Sequence, residues 1–417
     1  AFLFITELIP LAVTAMAACT ALGILGVLPS KAVYAGMSNS TVVLFGGMFV
    51  IGAAMFKTGL AEAIGVAVVK KAGTNEIPLM AAIMTVTIIL SAVSSNTGTV
   101  ACLMPVIIGI CTVAKLPASK QLMPLAIAAN VGGTITMIGT PPNVIVTGAL
   151  TTAGLPTFGF FEFAWIGIPL SLVITIYTLF IGRHMIAAKS AGAMDEEALK
   201  AAKEEAGASD DDAPKSKTKM WISGLILIGV VLCMALDLKT VPLHTAAVTG
   251  AILCVVTGCL KEKEAYAGID WVTIFLFAGM LSVASAMEKT GAGKLIADTV
   301  VSMMGTNPNP YVLTAVLFLI SNVLTQFMSN TASAALLAPI GISIAQSIGA
   351  DPKPVLMALG IAASCAFATP MATPPNTLVL GPGGFSFNDY AKVGVPMCVI
   401  SLIVCLVVIP IVWPFGM

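Results

Sequence analysis

Twice in this 417-residue chain a Ser-Asn-Thr triplet breaks sequence that otherwise reads as membrane-depth, and the two triplets lie 234 residues apart. "SSNTGTVACLMP" (Ser94 to Pro105) is echoed by "MSNTASAALLAP" (Met328 to Pro339), and "IGTPPN" (Ile138 to Asn143) by "MATPPN" (Met371 to Asn376), the latter at an offset of 233. Gly47, Met48, Lys57, Thr58 and Gly59 recur as Gly279, Met280, Lys289, Thr290 and Gly291, and "IPL" at Ile9 recurs as "VPL" at Val241, both at 232. Ordered matches at nearly one register make the chain a duplication, and any fold for it must be built twice from one plan.

With 58% hydrophobic residues, 10% charged residues and a mean hydropathy of +1.01, the chain lies outside the range of soluble globular proteins. Apolar runs suited to crossing a bilayer recur, for instance Leu11 to Leu28, Thr41 to Phe56, Trp165 to Ile181, Trp221 to Leu236, His244 to Leu260 and Trp271 to Ser285. The alternation of a β-barrel is absent, so the expectation is an all-α polytopic membrane protein. Cysteines such as Cys19, Cys102, Cys111, Cys233, Cys254, Cys365 and Cys405 lie singly in apolar runs and read as packing residues. His184 and His244 sit at span ends far apart, which argues against a metal site built on histidine.

Each half should hold scaffold helices (about 1–72 and 219–300), a re-entrant hairpin with a broken helix (about 78–151 and 310–382) and a closing helix (about 161–186 and 391–415). Residues 1–186 and 219–417 are then two repeats joined by a polar linker, 187–218, helical in "DEEALKAAKEEA". With the hairpin counted as non-crossing, each half crosses the membrane an odd number of times, as two inverted-topology repeats require. The lysines at positions 70, 71, 115, 120, 261 and 263 and the segment 183–219 then share one side, which the positive-inside rule makes cytoplasmic. A full apolar helix precedes Val241-Pro242 but only "AFLFITEL" precedes Ile9-Pro10, so the sequence is expected to start inside its first repeat helix. Glu7 reads as structural.

Non-helical backbone at membrane depth survives only when buried in protein or lining a wet cavity. A helix broken at Ser95-Asn96-Thr97 offers carbonyls from one half, amides from the next and small polar side chains between them, groups that bind a hard cation or an anion. Pro141-Pro142 and Pro374-Pro375 stop one segment and suit the start of another, which is expected to leave an unsatisfied helix N-terminus in the core. Gly139 lets backbone approach an ion, and Ala372 is its counterpart. Ser91 and Thr325, one turn before each triplet, are candidate cation ligands. Thr136 and Thr369 read as hydroxyls bonded back to their own helix, and the "GGM" near Gly46 as close helix packing.

Arg183 is the chain's one arginine, and the breaks themselves hold no acid or base. An anion bound there must be balanced by cations, helix N-termini and neutral donors, which favours cation-coupled anion transport over a proton relay. An enzyme is not expected, since no Ser or Cys has a His, Lys or acidic partner within its span. A channel built on half-helices would give single-channel current rather than saturable coupled flux.

The paired "SNT" motifs with "GTPPN" at Gly139 to Asn143 and "ATPPN" at Ala372 to Asn376 resemble the divalent anion/sodium symporters, the INDY-type di- and tricarboxylate transporters of the ion transporter superfamily. The resemblance spans essentially the whole chain. It implies a homodimer in the cytoplasmic membrane that moves C4-type dicarboxylates, or citrate or sulfate, by an elevator motion, with no nucleic-acid partner. Some members of that family are Na⁺-driven symporters and others Na⁺-independent exchangers. Carried over by motif, one Na⁺ would sit at Ser91, Ser95, Asn96 and Gly139, and a second at Thr325, the Met328 backbone, Asn330 and the Ala372 backbone. The substrate carboxylates would meet Asn96, Thr97, Thr140, Pro141, Ser329, Asn330, Thr331, Thr373 and Pro374. The short linker, without a large soluble insertion, tilts the reading towards a dicarboxylate.

Overall fold

A computed structural model describes residues 3, 8–73, 75–192, 196–205, 216–236, 240–304 and 309–415. Glu7 and linker positions 193–195 and 206–215 lie outside the described residues. The first half runs α1 (Leu11–Ile24), α2 (Ser40–Lys57), α3 (Leu60–Ala72), α4 (Glu76–Ser91), α5 (Asn96–Ala114), α6 (Ser119–Gly132), α7 (Pro141–Thr152) and α8 (Ala164–Tyr177). The last of these continues through a π turn to Met185. After the linker helix α9 (Glu196–Glu205) come α10 (Lys217–Ala235), α11 (Leu243–Val256), α12 (Trp271–Thr290), α13 (Ala292–Met304), α14 (Pro310–Thr325), α15 (Asn330–Ser347), α16 (Pro352–Ser364), α17 (Pro374–Gly383) and α18 (Phe387–Val412). Helix starts reproduce the sequence register: α11 and α13 follow α1 and α3 by 232 residues, α14 and α15 follow α4 and α5 by 234, and α17 follows α7 by 233.

Local chemistry sets the boundaries. The Asn39 and Asp270 side chains accept from the amides of Thr41 (2.8 Å) and Thr273 (3.0 Å), capping α2 and α12. Both helices end at the repeated Lys-Thr-Gly, where Gly59 (φ 81°) and Gly291 (φ 72°) take the left-handed turn that a side chain would strain. Six of the described helices are long and apolar enough to cross a bilayer, and α8, α10 and α18 carry exposed apolar faces, including Trp165, Phe180, Leu225 and Ile411. Such faces belong in lipid, so the protein is integral and multi-pass.

Helices already in lipid gain little more from hydrophobic burial, so close backbone packing and hydrogen bonds hold them together. The contacts are reciprocal between the halves: α1 packs on α12 and α11 on α2, while α6 packs on α17 and α16 on α7. Gly167 of α8 lies against the backbone of Ile135, and Gly394 of α18 against that of Phe367.

Two polar clusters mark opposite ends of the α8–α18 pair. At one, Ser119 Oγ donates to Ala187 O (2.7 Å) and Lys189 Nζ reaches Gly384 O (2.6 Å) and Asp389 (3.1 Å). At the other, Glu162 takes Lys353 Nζ (2.6 Å) and Trp413 Nε1 (2.5 Å). Thus α6 starts where α8 ends and α18 begins, whereas α16 starts where α8 begins and α18 ends.

Candidate functional site

All four breaks meet at one cavity of about 210 Å³. Its polar lining comes from Ser95 to Thr97 and Gly139 to Pro141 of the first half and Ser329 to Thr331 and Ala372 to Pro374 of the second, with Asn130 between them. Phe45, Met48, Phe49 and Phe56 of α2 form an apolar wall, and Asp270 and Thr273 stand at the start of α12. Small-molecule sites have this form, an apolar vessel with a few convergent polar groups.

In the first half, one arm of the Asn96 amide lies 2.5 Å from Ser91 Oγ, 3.2 Å from Ala129 O and 3.1 Å from Gly139 O. Ser91 Oγ also donates to Ala129 O at 2.7 Å. With nitrogen on that arm the amide donates to both carbonyls and to Ser91 Oγ; with oxygen there, the Ser91 hydroxyl is the one donor facing it, and the remaining oxygens suit a cation. In the second half Thr325 Oγ1 bridges Asn330 Oδ1 (2.6 Å) and Ala363 O (2.8 Å). Gly139 is sterically required, because a Cβ there would stand 2.4 Å from Gly133 O.

The breaks differ in what they offer an anion. Ser95 and Ser329 cap α5 and α15 by accepting from the amides of Gly98 (3.3 Å) and Ala332 (3.1 Å). The amides of Asn96, Thr97, Asn330 and Thr331 precede the first helical hydrogen bonds, so they are donors on the cavity wall. At the proline breaks the expectation of an unsatisfied helix N-terminus in the core fails. Pro141, Pro142, Pro374 and Pro375 have no N–H, and the next amides, of Asn143 and Asn376, turn back to Thr140 O (3.2 Å) and Thr373 O (3.0 Å). There the hydroxyls of Thr140 and Thr373 are the donors available to the cavity.

Against these sites, the profile described as "Citrate transporter" (CitMHS) matches residues 1–354 and 327–415. The chain belongs to the citrate transporter family. An uncharacterized transporter of Haemophilus influenzae is 30% identical, covering 97% of this chain and 88% of that protein. YfbS of Escherichia coli, also an uncharacterized transporter, is 25% identical over 99% of this chain and 97% of its own. The sodium-dependent dicarboxylate transporter SdcS of Staphylococcus saprophyticus is 26% identical, with 97% and 83% covered. In fold, the chain matches the YdaH transporter of Alcanivorax borkumensis with a TM-score of 0.66 at 15% identity, covering 98% of each chain. The resemblance to the sodium-dependent dicarboxylate transporters is thus met among the relatives of this citrate-family transporter.

Of the residues picked from sequence, Ser91, Asn96 and Gly139 come together, as do Thr325 and Asn330. Ser95, Thr97, Thr140, Pro141, Ser329, Thr331, Ala372, Thr373 and Pro374 line the cavity. Met328 is buried outside this lining. Thr136 and Thr369 differ from expectation: they bond across to the hairpins, at Ala92 O and Gln326 O (2.6 Å), rather than back along their own helix. Ala129 and Ala363 went unnoticed, although Ile127-Ala128-Ala129 recurs as Ile361-Ala362-Ala363 at the same offset of 234. Asp270 also reaches the cavity, so the lining is not free of acid. Its oxygens take the amide and hydroxyl of Thr273, which turns the charge onto a helix N-terminus.

Proposed function

We propose that this transporter is a Na⁺-coupled carrier of C4-type dicarboxylates such as succinate, malate or fumarate. The observation that carries the reading is the pair of corresponding polar clusters, the Asn96 amide with Ser91 Oγ, Ala129 O and Gly139 O, and the Asn330 amide with Thr325 Oγ1 and Ala363 O, beside one cavity. Hydroxyl, amide and carbonyl oxygens suit a hard monovalent cation. With a Na⁺ in each cluster, the cavity gains positive charge that its own side chains do not supply. An anion held by Asn96, Thr97, Thr140, Ser329, Asn330, Thr331 and Thr373 is then neutralised, which makes the anion's affinity depend on the ion. Ser95, Met328, Ala372, Pro141 and Pro374 complete the ligand sets by resemblance. SdcS, described as sodium-dependent and dicarboxylate-transporting, supports the same reading.

The two halves act as inverted repeats in this reading. Support comes from the reciprocal helix contacts and from α6 and α16 starting at opposite ends of the α8–α18 pair. The hairpins and broken helices, 78–151 and 310–382, form a transport domain that moves as an elevator against scaffold helices within 1–72 and 219–300. The protein works as a homodimer in the cytoplasmic membrane with linker 187–218 in the cytosol.

The test is uptake of labelled succinate into proteoliposomes, with an inward Na⁺ gradient and then with K⁺ in its place, comparing empty with succinate-loaded vesicles. Uptake into empty vesicles that needs Na⁺ is expected. Uptake confined to loaded vesicles and indifferent to Na⁺ would replace the symporter with an exchanger.

A further inference from the structure

Asn130, on α6 of the first half, is 1% exposed and lies on the cavity wall. Among the described residues its side chain bonds only to the second half: Nδ2 donates to Thr373 Oγ1 (3.1 Å) and to Asn376 Oδ1 (3.0 Å). The direction of these bonds follows from what lies beneath them. Asn376 Nδ2 faces two carbonyls, Ala366 O and Thr369 O, each at 2.9 Å, and a carbonyl can only accept. Asn376 Oδ1 is therefore turned towards Asn130, which must present its nitrogen. The second proton of that nitrogen falls on Thr373 Oγ1.

Thr373 is thereby committed. Its oxygen accepts from Asn130, so its own proton must point elsewhere, and Thr373 lines the cavity. We infer that Asn130 is a positioning residue that fixes the Thr373 hydroxyl as a hydrogen-bond donor towards the bound anion, selecting a fully ionised carboxylate as its ligand. With one of its two lone pairs taken by Asn130, the hydroxyl is biased towards donating to an acceptor-only group; without that bond it would accept from a protonated acid as readily as donate.

The duplication supplies an internal contrast. At the register of the triplets, Asn130 corresponds to Ser364, whose hydroxyl returns to Gly360 O (2.9 Å) instead of crossing to the other half. Asn143 Oδ1, the counterpart of Asn376 Oδ1, is correspondingly buried with no hydrogen-bond partner among the described residues, as is Asn130 Oδ1. Only one of the two proline breaks therefore has its threonine oriented from the opposite half. Asn130 also follows Ala129, whose carbonyl belongs to the first oxygen cluster, so adjacent residues join the cation cluster of one half to the anion donor of the other.

This inference rests on the cavity being the anion site, and the test separates the two. Full-length wild type, Asn130→Ala, Thr373→Val and the double variant are titrated with succinate at saturating Na⁺, and with Na⁺ in the absence of succinate. Asn130→Leu, of similar size, uncharged and without a donor, serves alongside in case the alanine variant folds poorly. Expected is an about tenfold loss of succinate affinity in each single variant, the scale of one hydrogen bond to a charged group. The double variant should be no weaker than the weaker single, with Na⁺ affinity in the absence of succinate unchanged. Loss with Thr373→Val but not with either Asn130 variant overturns the role of Asn130 and leaves the cavity reading standing. No loss in any variant overturns both. A lower melting temperature in the Asn130 variants with unchanged succinate affinity reduces the residue to structural support.

Discussion

Gly47 lies backbone against backbone with Ala247, a contact that leaves no room for a side chain. A Cβ on Gly47 would stand 2.8 Å from the carbonyl carbon of Ala247, and one on Gly279 would stand 2.9 Å from that of Ala15. Adding 232 to Gly47 gives Gly279, and adding it to Ala15 gives Ala247, so each repeat lends its glycine to the alanine of the other. Gly46, one residue away, would meet only the end of Ile274 at 3.9 Å. Gly47→Ala and Gly279→Ala should each cost about 1–3 kcal/mol of stability through overpacking, while Gly46→Ala should be near neutral. Thermal unfolding in detergent checks this, and equal melting temperatures for all three would contradict the close contact.

Asn96→Ala and Asn330→Ala should abolish succinate transport in proteoliposomes while size-exclusion behaviour stays that of wild type. Each removes the amide at the centre of its oxygen cluster. Normal uptake in both variants would sink the site assignment.

Thr97→Val and Thr331→Val keep the side-chain volume close to that of threonine and remove only the hydroxyl. Since these hydroxyls are assigned to the anion, succinate affinity should fall about tenfold, with a smaller change in Na⁺ affinity measured without succinate. Equal losses would show that the two roles are not separable.

Gly139→Ala should be far more damaging than Ala372→Gly, although the two positions correspond. A methyl group on Gly139 meets Gly133 O at 2.4 Å and must displace a carbonyl that borders the first cluster, whereas the second half has Ala366 and Ala372 in these places. The measurement is the Na⁺ dependence of uptake, and comparable effects would count against the asymmetry.

Outside the spans, Glu264 shows a pH signature. Partial burial raises its pKa, but the Lys261 amide and the Lys57 ammonium 3.2 Å away more than offset this and hold the carboxyl below its ordinary value. A lowered folded-state pKa adds stability above the unfolded value, and this is lost as pH falls through the folded one. Glu264→Gln should therefore lower the melting temperature slightly at about pH 7, a loss of under about 1 kcal/mol for a single half-buried pair. The difference from wild type should shrink as the pH falls below the ordinary carboxylate range. A difference that widened on acidification would reverse the sign and refute the pairing.

The sequence alone determined the duplication, the membrane class and most of the polar cavity lining. It could do so because serine, asparagine and paired prolines inside apolar runs are costly in lipid and stand out wherever they occur. The same reasoning located Ser91 and Thr325, whose helical spacing places them one turn from the triplets. It misjudged the proline breaks, since the identity of a residue does not say where the next free amide turns.

Only the tertiary structure decided which groups complete the sites. The carbonyls of Ala129 and Ala363 join the clusters as backbone atoms, and a carbonyl has no letter of its own. Asn130 reaches Thr373 and Asn376, 243 and 246 residues away, because α6 packs on α17. Asp270 arrives at the cavity with the start of α12. Local sequence carries the cost of each polar break, but what meets it is fixed by how the two halves pack, through contacts no local pattern encodes.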